Sequence, residues 1–234
     1  MKLPDFSFEK ELWNKGLTAV AGADEVGRGA FAGPVIAACV VFPTAISLGK
    51  GVFIHDSKLL TPKQRQKANL WIRGNCLTFG IGKAGVAQIN KLGIKKATEC
   101  AFRRAVISAN KKMVGEVIID HLLVDAFFVP RLANMPVGSV NKAGDKSYTK
   151  VMLGAKQTAI VKGDRISVSI AAASIVAKVY RDKLMQNLAK KVSYRQYLWD
   201  RNKGYGTTAH RYAIKQFGLT KHHRTTFIAK SLTS

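Results

Sequence analysis

Three short apolar runs in this chain each stop on an acidic residue: Thr18-Ala-Val-Ala-Gly-Ala-Asp24-Glu25, His121-Leu-Leu-Val-Asp125 and Thr158-Ala-Ile-Val-Lys-Gly-Asp164. Short, largely apolar runs like these suit strands of a sheet. If the three are neighbouring strands that point the same way, their ends bring four carboxylates to one edge of the sheet. At about 4 Å two carboxylates repel by roughly 4 kcal/mol at an effective dielectric near 20, so such a cluster either titrates far from normal or binds cations. Any one of these acids alone is explained as a turn or cap residue. The repetition is what points to a site.

The cluster does not follow from an acidic composition. The chain has 234 residues with 38 Lys+Arg against 14 Asp+Glu, a net charge of +24. That excess predicts a polyanionic partner, nucleic acid first and an anionic membrane surface second. No apolar stretch approaches the roughly 20 residues that span a bilayer, and the N-terminus mixes charges and a proline where a signal peptide would be apolar. From Lys178 to Lys230 there are 13 Lys or Arg and only two acids, Asp182 and Asp200. A segment this basic suits a duplex backbone, the alternative being a merely solvated face. Cys39, Cys76 and Cys100 have no CxxC spacing and are expected to be free thiols of a reducing compartment, which excludes a thiolate zinc site. A cytoplasmic protein is expected, without a membrane segment.

Residues 18–26 and 33–42 read as buried strands joined by a glycine-rich turn, and 77–83 as a third strand weakened by its glycines. Pro62 to Ile72 reads as a helix starting near Ser57 or Thr61, with proline at a tolerated early position. Ile94 to Met113 is helical, with Ala97, Ala101 and Ala105 on its apolar face. Residues 131–156, rich in Gly, Pro, Asn and Lys, read as a surface loop. Val168 to Lys191 forms a long helix in which Val176, Tyr180, Leu184 and Leu188 recur every fourth residue. The tail 192–234 holds short helical pieces around Gly204-Tyr205-Gly206. The mixed order of strands and helices predicts an α/β domain.

Mg²⁺ and Mn²⁺ prefer oxygen ligands, and a pair of them can activate water and stabilise a leaving oxygen. The reaction class expected here is therefore metal-assisted hydrolysis of nucleic acid. Asp182 lies four residues after Lys178 inside the long helix, where an ion pair accounts for it. Asp120 and Asp145 fit a strand entry and a loop, so all three stay outside the site. Beside Asp24-Glu25 stands Val26-Gly27-Arg28-Gly29, in which the glycines permit close backbone approach and Arg28 offers a planar donor to phosphate.

The stretch Ala21-Gly-Ala-Asp-Glu-Val-Gly-Arg-Gly-Ala-Phe-Ala-Gly-Pro34 resembles the opening motif of type 2 ribonucleases H, the ribonuclease HII family. The resemblance continues through Asp56-Ser57-Lys58, Val124-Asp125, Val161-Lys-Gly-Asp164, Ala171 to Asp182, Gly204-Tyr205 and Gly218 to Phe227. It implies a ribonuclease H-like fold, with a central mixed five-stranded sheet flanked by helices and a C-terminal helical extension. The catalytic domain would be 1–191, with a basic helical segment, 192–234, packed on it and contributing substrate contacts. It implies that Asp24, Glu25, Asp125 and Asp164 are the catalytic carboxylates and hold Mg²⁺ or Mn²⁺, two ions once substrate is bound. Gly27, Arg28, Gly29 and Tyr205 would sense the 2′-hydroxyl at an RNA–DNA junction, the group that distinguishes RNA from DNA. Lys58, Ser174 and His210 would contact phosphates or order the site. His222 and His223 read as phosphate contacts or structural groups on an exposed basic segment.

The implied activity is cleavage of the RNA strand of RNA/DNA hybrids and nicking of duplex DNA 5′ to an embedded ribonucleotide, by a monomer, leaving 5′-phosphate and 3′-hydroxyl ends. Two departures from the family pattern stand out: Ala126 after Asp125, where many relatives have glycine, and a longer loop at 131–156. The related type HIII enzymes usually lack the first-loop arginine and carry an N-terminal platform domain, for which the residues before the first strand here are too few. A nuclease or resolvase of the same fold that ignores sugar identity is the rival enzyme. A basic RNA-binding protein explains the charge but not the acids beside Gly27-Arg28-Gly29.

Overall fold

The computed structural model describes residues 3–49, 51–113, 118–132, 136–137, 151–152 and 156–232. The chain enters through helix α1 (Ser7–Trp13), then forms β1 (Val20–Val26), β2 (Val35–Val41), α2 (Pro62–Asn75), β3 (Thr78–Ala84), α3 (Val86–Asn110) and β4 (His121–Asp125). Two short paired strands follow, β5 (Pro136–Val137) and β6 (Val151–Met152), and then β7 (Lys156–Ile160). Helix α4 (Val168–Ala189) precedes α5 (Trp199–Asn202), α6 (Thr208–Phe217) and α7 (Thr225–Leu232). Most of the expected 131–156 loop, with Asp145, lies outside the described residues.

The sheet order is β3-β2-β1-β4-β7. β1, β4 and β7 run parallel, and β2 runs antiparallel to both β1 and β3. This is the expected mixed five-stranded sheet. The three acid-bearing runs are indeed neighbours pointing the same way.

Side-chain alternation divides the core. From β2, Val35, Ala37, Cys39 and Val41 face α3, where Ala97, Ala101, Phe102, Ala105 and Val106 meet them. Ile36, Ala38 and Val40 face the other way, against Ala171, Ala172, Ile175 and Val176 of α4 and Ala68 and Ile72 of α2. All seven β2 residues are buried, and each large aliphatic among them contributes about 1.5–3 kcal/mol of burial. The glycines of β3, expected to weaken the strand, have a packing role. A Cβ on Gly80 would lie 2.0 Å from the Ala105 carbonyl oxygen, and one on Gly82 1.9 Å from that of Ala101, so their absence lets α3 settle directly on the strand.

Helix α2 starts as read, with Thr61 and Gln64 forming a reciprocal capping box and Pro62 in the first turn. Helix α3 begins earlier than expected, at Val86, and breaks at Gly93, whose φ of 76° interrupts the helical path. Helix α1 is an element the apolar patterns did not announce. The three cysteines are free, and burial pushes the Cys39 thiol up to about 12. Among the described residues no helix is long and apolar enough to cross a membrane.

Candidate active site

The parallel register sets Ala23 of β1 beside Val124 of β4, so Asp24 and Asp125 stand side by side at the strand ends. Pleat parity then sorts the acids. Gly22 approaches the backbone of α4 at Ser169, and Asp24, two residues on, projects to the same face. Glu25 must face the opposite way, towards the α3 layer.

Asp24, Asp125 and Asp164 each offer a carboxylate oxygen, and these atoms all lie within 4.8 Å of one another. Glu25, expected as the fourth acid, is close enough for its charge to act on Asp24 but is not among these three. Glu25 instead accepts from Arg28 Nη1 at 3.2 Å, and the Arg28 guanidinium lies 5.4 Å from the Phe127 ring centroid. Asp164 is also not on a strand. β7 ends at Ile160, Lys162 takes a left-handed conformation (φ 57°), and a 3₁₀ turn over Gly163–Arg165 swings the carboxylate back to the site. The Gly163 amide donates to Asp125 Oδ1 at 2.7 Å and fastens that turn to β4.

The electrostatics match a site built for cations. Burial, then the charges of Glu25 and Asp125, raise the Asp24 carboxyl well above its ordinary range, although the Ser174 hydroxyl and the Glu25 amide oppose the rise. The Glu25 amide donates to Asp24 Oδ1 at 2.7 Å. Asp164 is pushed up to about 6 by burial and by Asp56 and Asp125, with Lys58 and Arg165 acting against them. Burial also raises Glu25, against the pull of Arg28. Clustered hard oxygen donors that resist ionising together are suited to a divalent ion such as Mg²⁺ or Mn²⁺.

Around this core, Ser174 is buried and donates to Ser57 Oγ at 2.9 Å. Lys58 is exposed, and its amide donates to Asp56 Oδ1 at 3.0 Å. Sequence reasoning left Asp56 out of the site, though the family-like Asp56-Ser57-Lys58 stretch contained it. It is buried, pairs with Arg165 at 3.2 Å and presses on Asp164. Asp182 pairs with Lys178 at 2.9 Å, as the helix spacing required. The Asp120 carboxylate accepts from the Ala19 amide at 2.8 Å at the strand entry.

Beyond β1 the chain passes through Gly27, Arg28 and Gly29. Gly27 has φ +90°, and a Cβ there would lie 2.1 Å from Arg181 Nε, so both backbone and space require glycine. Ala30 bridges Tyr205, and the amides of Phe31 and Ala32 donate to the Gly204 carbonyl at 2.8 and 3.0 Å. The loop and Tyr205, 176 positions apart at Gly29, are thus joined as one surface.

Of the two roles expected for His210, the structure is consistent with ordering the site. The residue is fully buried, so it contacts no phosphate. Trp199 Nε1 donates to its Nε2 at 3.0 Å, which leaves the proton on Nδ1 to donate to the Tyr205 carbonyl at 2.9 Å. His223 is buried too, not exposed; its Nδ1 accepts from the Thr220 amide at 2.9 Å and its Nε2 faces His210 Nε2 at 3.2 Å. Both histidines order the Tyr205 segment.

The family model of ribonuclease HII matches residues 21–230. The chain belongs to the ribonuclease HII family. A ribonuclease HII of Synechococcus sp. (strain JA-3-3Ab) is 42% identical over 224 residues, covering 96% of this chain and 88% of that protein. One of Wolbachia pipientis subsp. Culex pipiens (strain wPip) is 44% identical over 227 residues, covering 97% of each. Among solved structures, Bst-RNase HIII in complex with Mn²⁺ superposes with a TM-score of 0.65 at 16% identity, over 93% of this chain and 70% of that one. Membership makes the chain a ribonuclease H, a phosphodiester hydrolase acting on RNA/DNA hybrids, and the carboxylate cluster lies within the matched residues.

Proposed function

We propose that the chain hydrolyses the RNA strand of RNA/DNA hybrids and incises duplex DNA on the 5′ side of an embedded ribonucleotide, leaving 5′-phosphate and 3′-hydroxyl ends. The observation that carries this reading is the joining of two surfaces. The Asp24, Asp125 and Asp164 carboxylates gather beside the end of β1, and the Gly27-Arg28-Gly29 loop, tied to Tyr205 through Ala30, continues from the same strand.

Asp24, Asp125 and Asp164 would hold divalent ions, and Glu25 would complete the set from the other side of the β1 pleat. Mg²⁺ or Mn²⁺, two ions with substrate bound, would activate the attacking water and stabilise the departing 3′ oxygen. The chain's own groups do the rest. Arg28 and the loop backbone read the 2′-hydroxyl, the group DNA lacks. Tyr205 stacks on the deoxyribose that follows and favours DNA on that side. Ser174 stands beside Asp24 and lowers the cost of its charge, and Lys58 moderates the charge around Asp164. The basic C-terminal segment neutralises duplex phosphates, which makes binding fall steeply with salt. The enzyme acts in this reading as a cytoplasmic monomer, with residues 192–234 as an adjunct to a catalytic domain of 1–191.

The test is cleavage-site mapping on a duplex carrying one ribonucleotide, with and without Mg²⁺. A single metal-dependent incision 5′ to the ribonucleotide, with a 5′-phosphate on the product, is expected. Comparable cutting of an all-DNA duplex would instead identify a nuclease indifferent to the sugar.

A further inference from the structure

Two arginines, Arg181 of α4 and Arg224 just before α7, are fully buried behind the loop that follows β1. Neither forms an ion pair among the described residues; the nearby Asp182 carboxylate is taken by Lys178. Buried guanidiniums normally have carboxylate partners, because the cost of removing the charge from water must be offset. Here main-chain carbonyls take that place. Arg181 donates from Nε to the Pro34 oxygen at 3.0 Å, from Nη2 to that of Ala32 at 3.1 Å and from Nη1 to that of Lys203 at 2.9 Å. Arg224 donates from Nε to the Gly33 oxygen at 2.9 Å and from Nη1 to that of Arg28 at 2.7 Å.

These five carbonyls belong to two segments only, 28–34 and the residue just before Gly204-Tyr205. The Arg181 guanidinium also lies 5.4 Å from the centroid of the Tyr205 ring. Arg224 adds a main-chain tie, its amide donating to the Phe31 oxygen at 2.7 Å. Burial and the adjoining Arg181 push Arg224 down to about 9, so two like charges share this space at neutral pH. Arg224 Nη2 has no hydrogen-bond partner among the described residues. A core optimised for stability alone would not hold two unpaired cations together. Planar forks that fix several carbonyls at once are what arginine offers and lysine does not.

We propose that Arg181 and Arg224 are positioning residues for sugar recognition: a pair of buried guanidiniums that gathers the carbonyls of residues 28–34 and 203 and so fixes the Gly27-Arg28-Gly29 loop against Tyr205. The inference rests on the proposed reading of the sugar by that loop and that tyrosine. Neither arginine touches substrate. They set the spacing between the group that tests for a 2′-hydroxyl and the ring that tests the next sugar.

The experiment compares Arg181→Lys, Arg224→Lys and Tyr205→Ala with the unaltered enzyme. It reads kcat/KM on a duplex with one embedded ribonucleotide and on a continuous RNA/DNA hybrid, with Mg²⁺ throughout. Only the first substrate presents deoxyribose next to the ribonucleotide. The ratio of the two values does not depend on how much enzyme is folded, so partial misfolding leaves it readable, and the arginines are tested separately. Each Arg→Lys change is expected to lower both activities and to lower the ratio at least tenfold, in the direction of Tyr205→Ala. If Tyr205→Ala lowers the ratio while both lysine variants keep it within twofold of the unaltered enzyme, the positioning role is wrong and the sugar reading stands. If Tyr205→Ala itself leaves the ratio unchanged, the sugar reading fails and the positioning role fails with it.

Discussion

Replacing Asp24 by asparagine should inactivate the enzyme and, without metal, make it more stable. Asp24 is 6% exposed and lies within 4.8 Å of two other carboxylates. Each such neighbour costs an ionised Asp24 about 3–4 kcal/mol at an effective dielectric near 20. Protonation is the escape, and holding a carboxyl neutral at pH 7 against an ordinary value near 3.9 costs at most about 4 kcal/mol. Asparagine carries no charge, and its side-chain oxygen can still accept from the Glu25 amide. The metal-free variant should therefore gain about 1–4 kcal/mol, which at roughly 2–4 °C per kcal/mol for a domain this size raises the unfolding midpoint by several degrees.

The pH dependence follows from the same shifts. Asp24, Glu25 and Asp164 all have folded-state values above the ordinary carboxylate range, with Asp164 at about 6. The folded state thus binds more protons than the unfolded one, and the penalty is fully present above the folded values. Metal-free stability should rise as pH falls from above about 6 towards about 4, with a shallower rise in Asp24→Asn. The assay is thermal unfolding at pH 7.5 and 5.5, with and without Mg²⁺, beside cleavage of a hybrid. A lower midpoint for metal-free Asp24→Asn would refute the electrostatic argument, and near-native cleavage would refute the metal-site assignment.

Gly82→Ala should destabilise the fold by about 2–4 kcal/mol, because its methyl would meet the Ala101 carbonyl at 1.9 Å; denaturant unfolding checks this. Ala126, at φ 43°, sits where glycine is favoured, so Ala126→Gly should stabilise by about 0.5–1 kcal/mol and leave metal-dependent cleavage intact. Glu9→Ala removes the acceptor of three hydrogen bonds from Ser167 and Ser169 at the start of α4, and a loss of about 3 kcal/mol is expected in the same unfolding assay. Tyr205→Ala should lower cleavage at a single ribonucleotide by at least tenfold while duplex affinity, read by salt-dependent binding, changes less than threefold; equal losses would mean that the ring only packs.

The strands carrying Asp24 and Asp125 are legible because a buried strand is apolar almost throughout, so an acid within one, such as the buried Asp24, stands out. The third run misled for a physical reason. Val161 continues the apolar look of the strand, but it is exposed, and Lys162-Gly163 already forms the turn that returns Asp164 to the site. Helix α1 escaped because its inward face includes Glu9, a buried charge that breaks the apolar period and makes sense only once Ser167 and Ser169 are seen to bind it. The apolar face of α3 is legible only from Ile94, one residue after Gly93, which looks like a boundary. It is one, but a second helical stretch runs up to it from Val86. The split between Asp24 and Glu25 was available from alternation alone, since adjacent strand residues cannot share a face.

That split matters for how the two halves of the site communicate. Glu25 engages Arg28, so in the proposed reading the acid beside the three aspartates and the arginine that would meet the sugar are tied by one 3.2 Å contact. The Arg28 carbonyl is in turn held by Arg224, and the next residues are paired with Gly204 and Tyr205. If Arg28 reads the sugar as proposed, a displacement of Arg28 would be felt at Glu25, whose charge Arg28 helps to support. The contact through Glu25 makes the state of the loop part of the electrostatics that the carboxylates present to a metal ion.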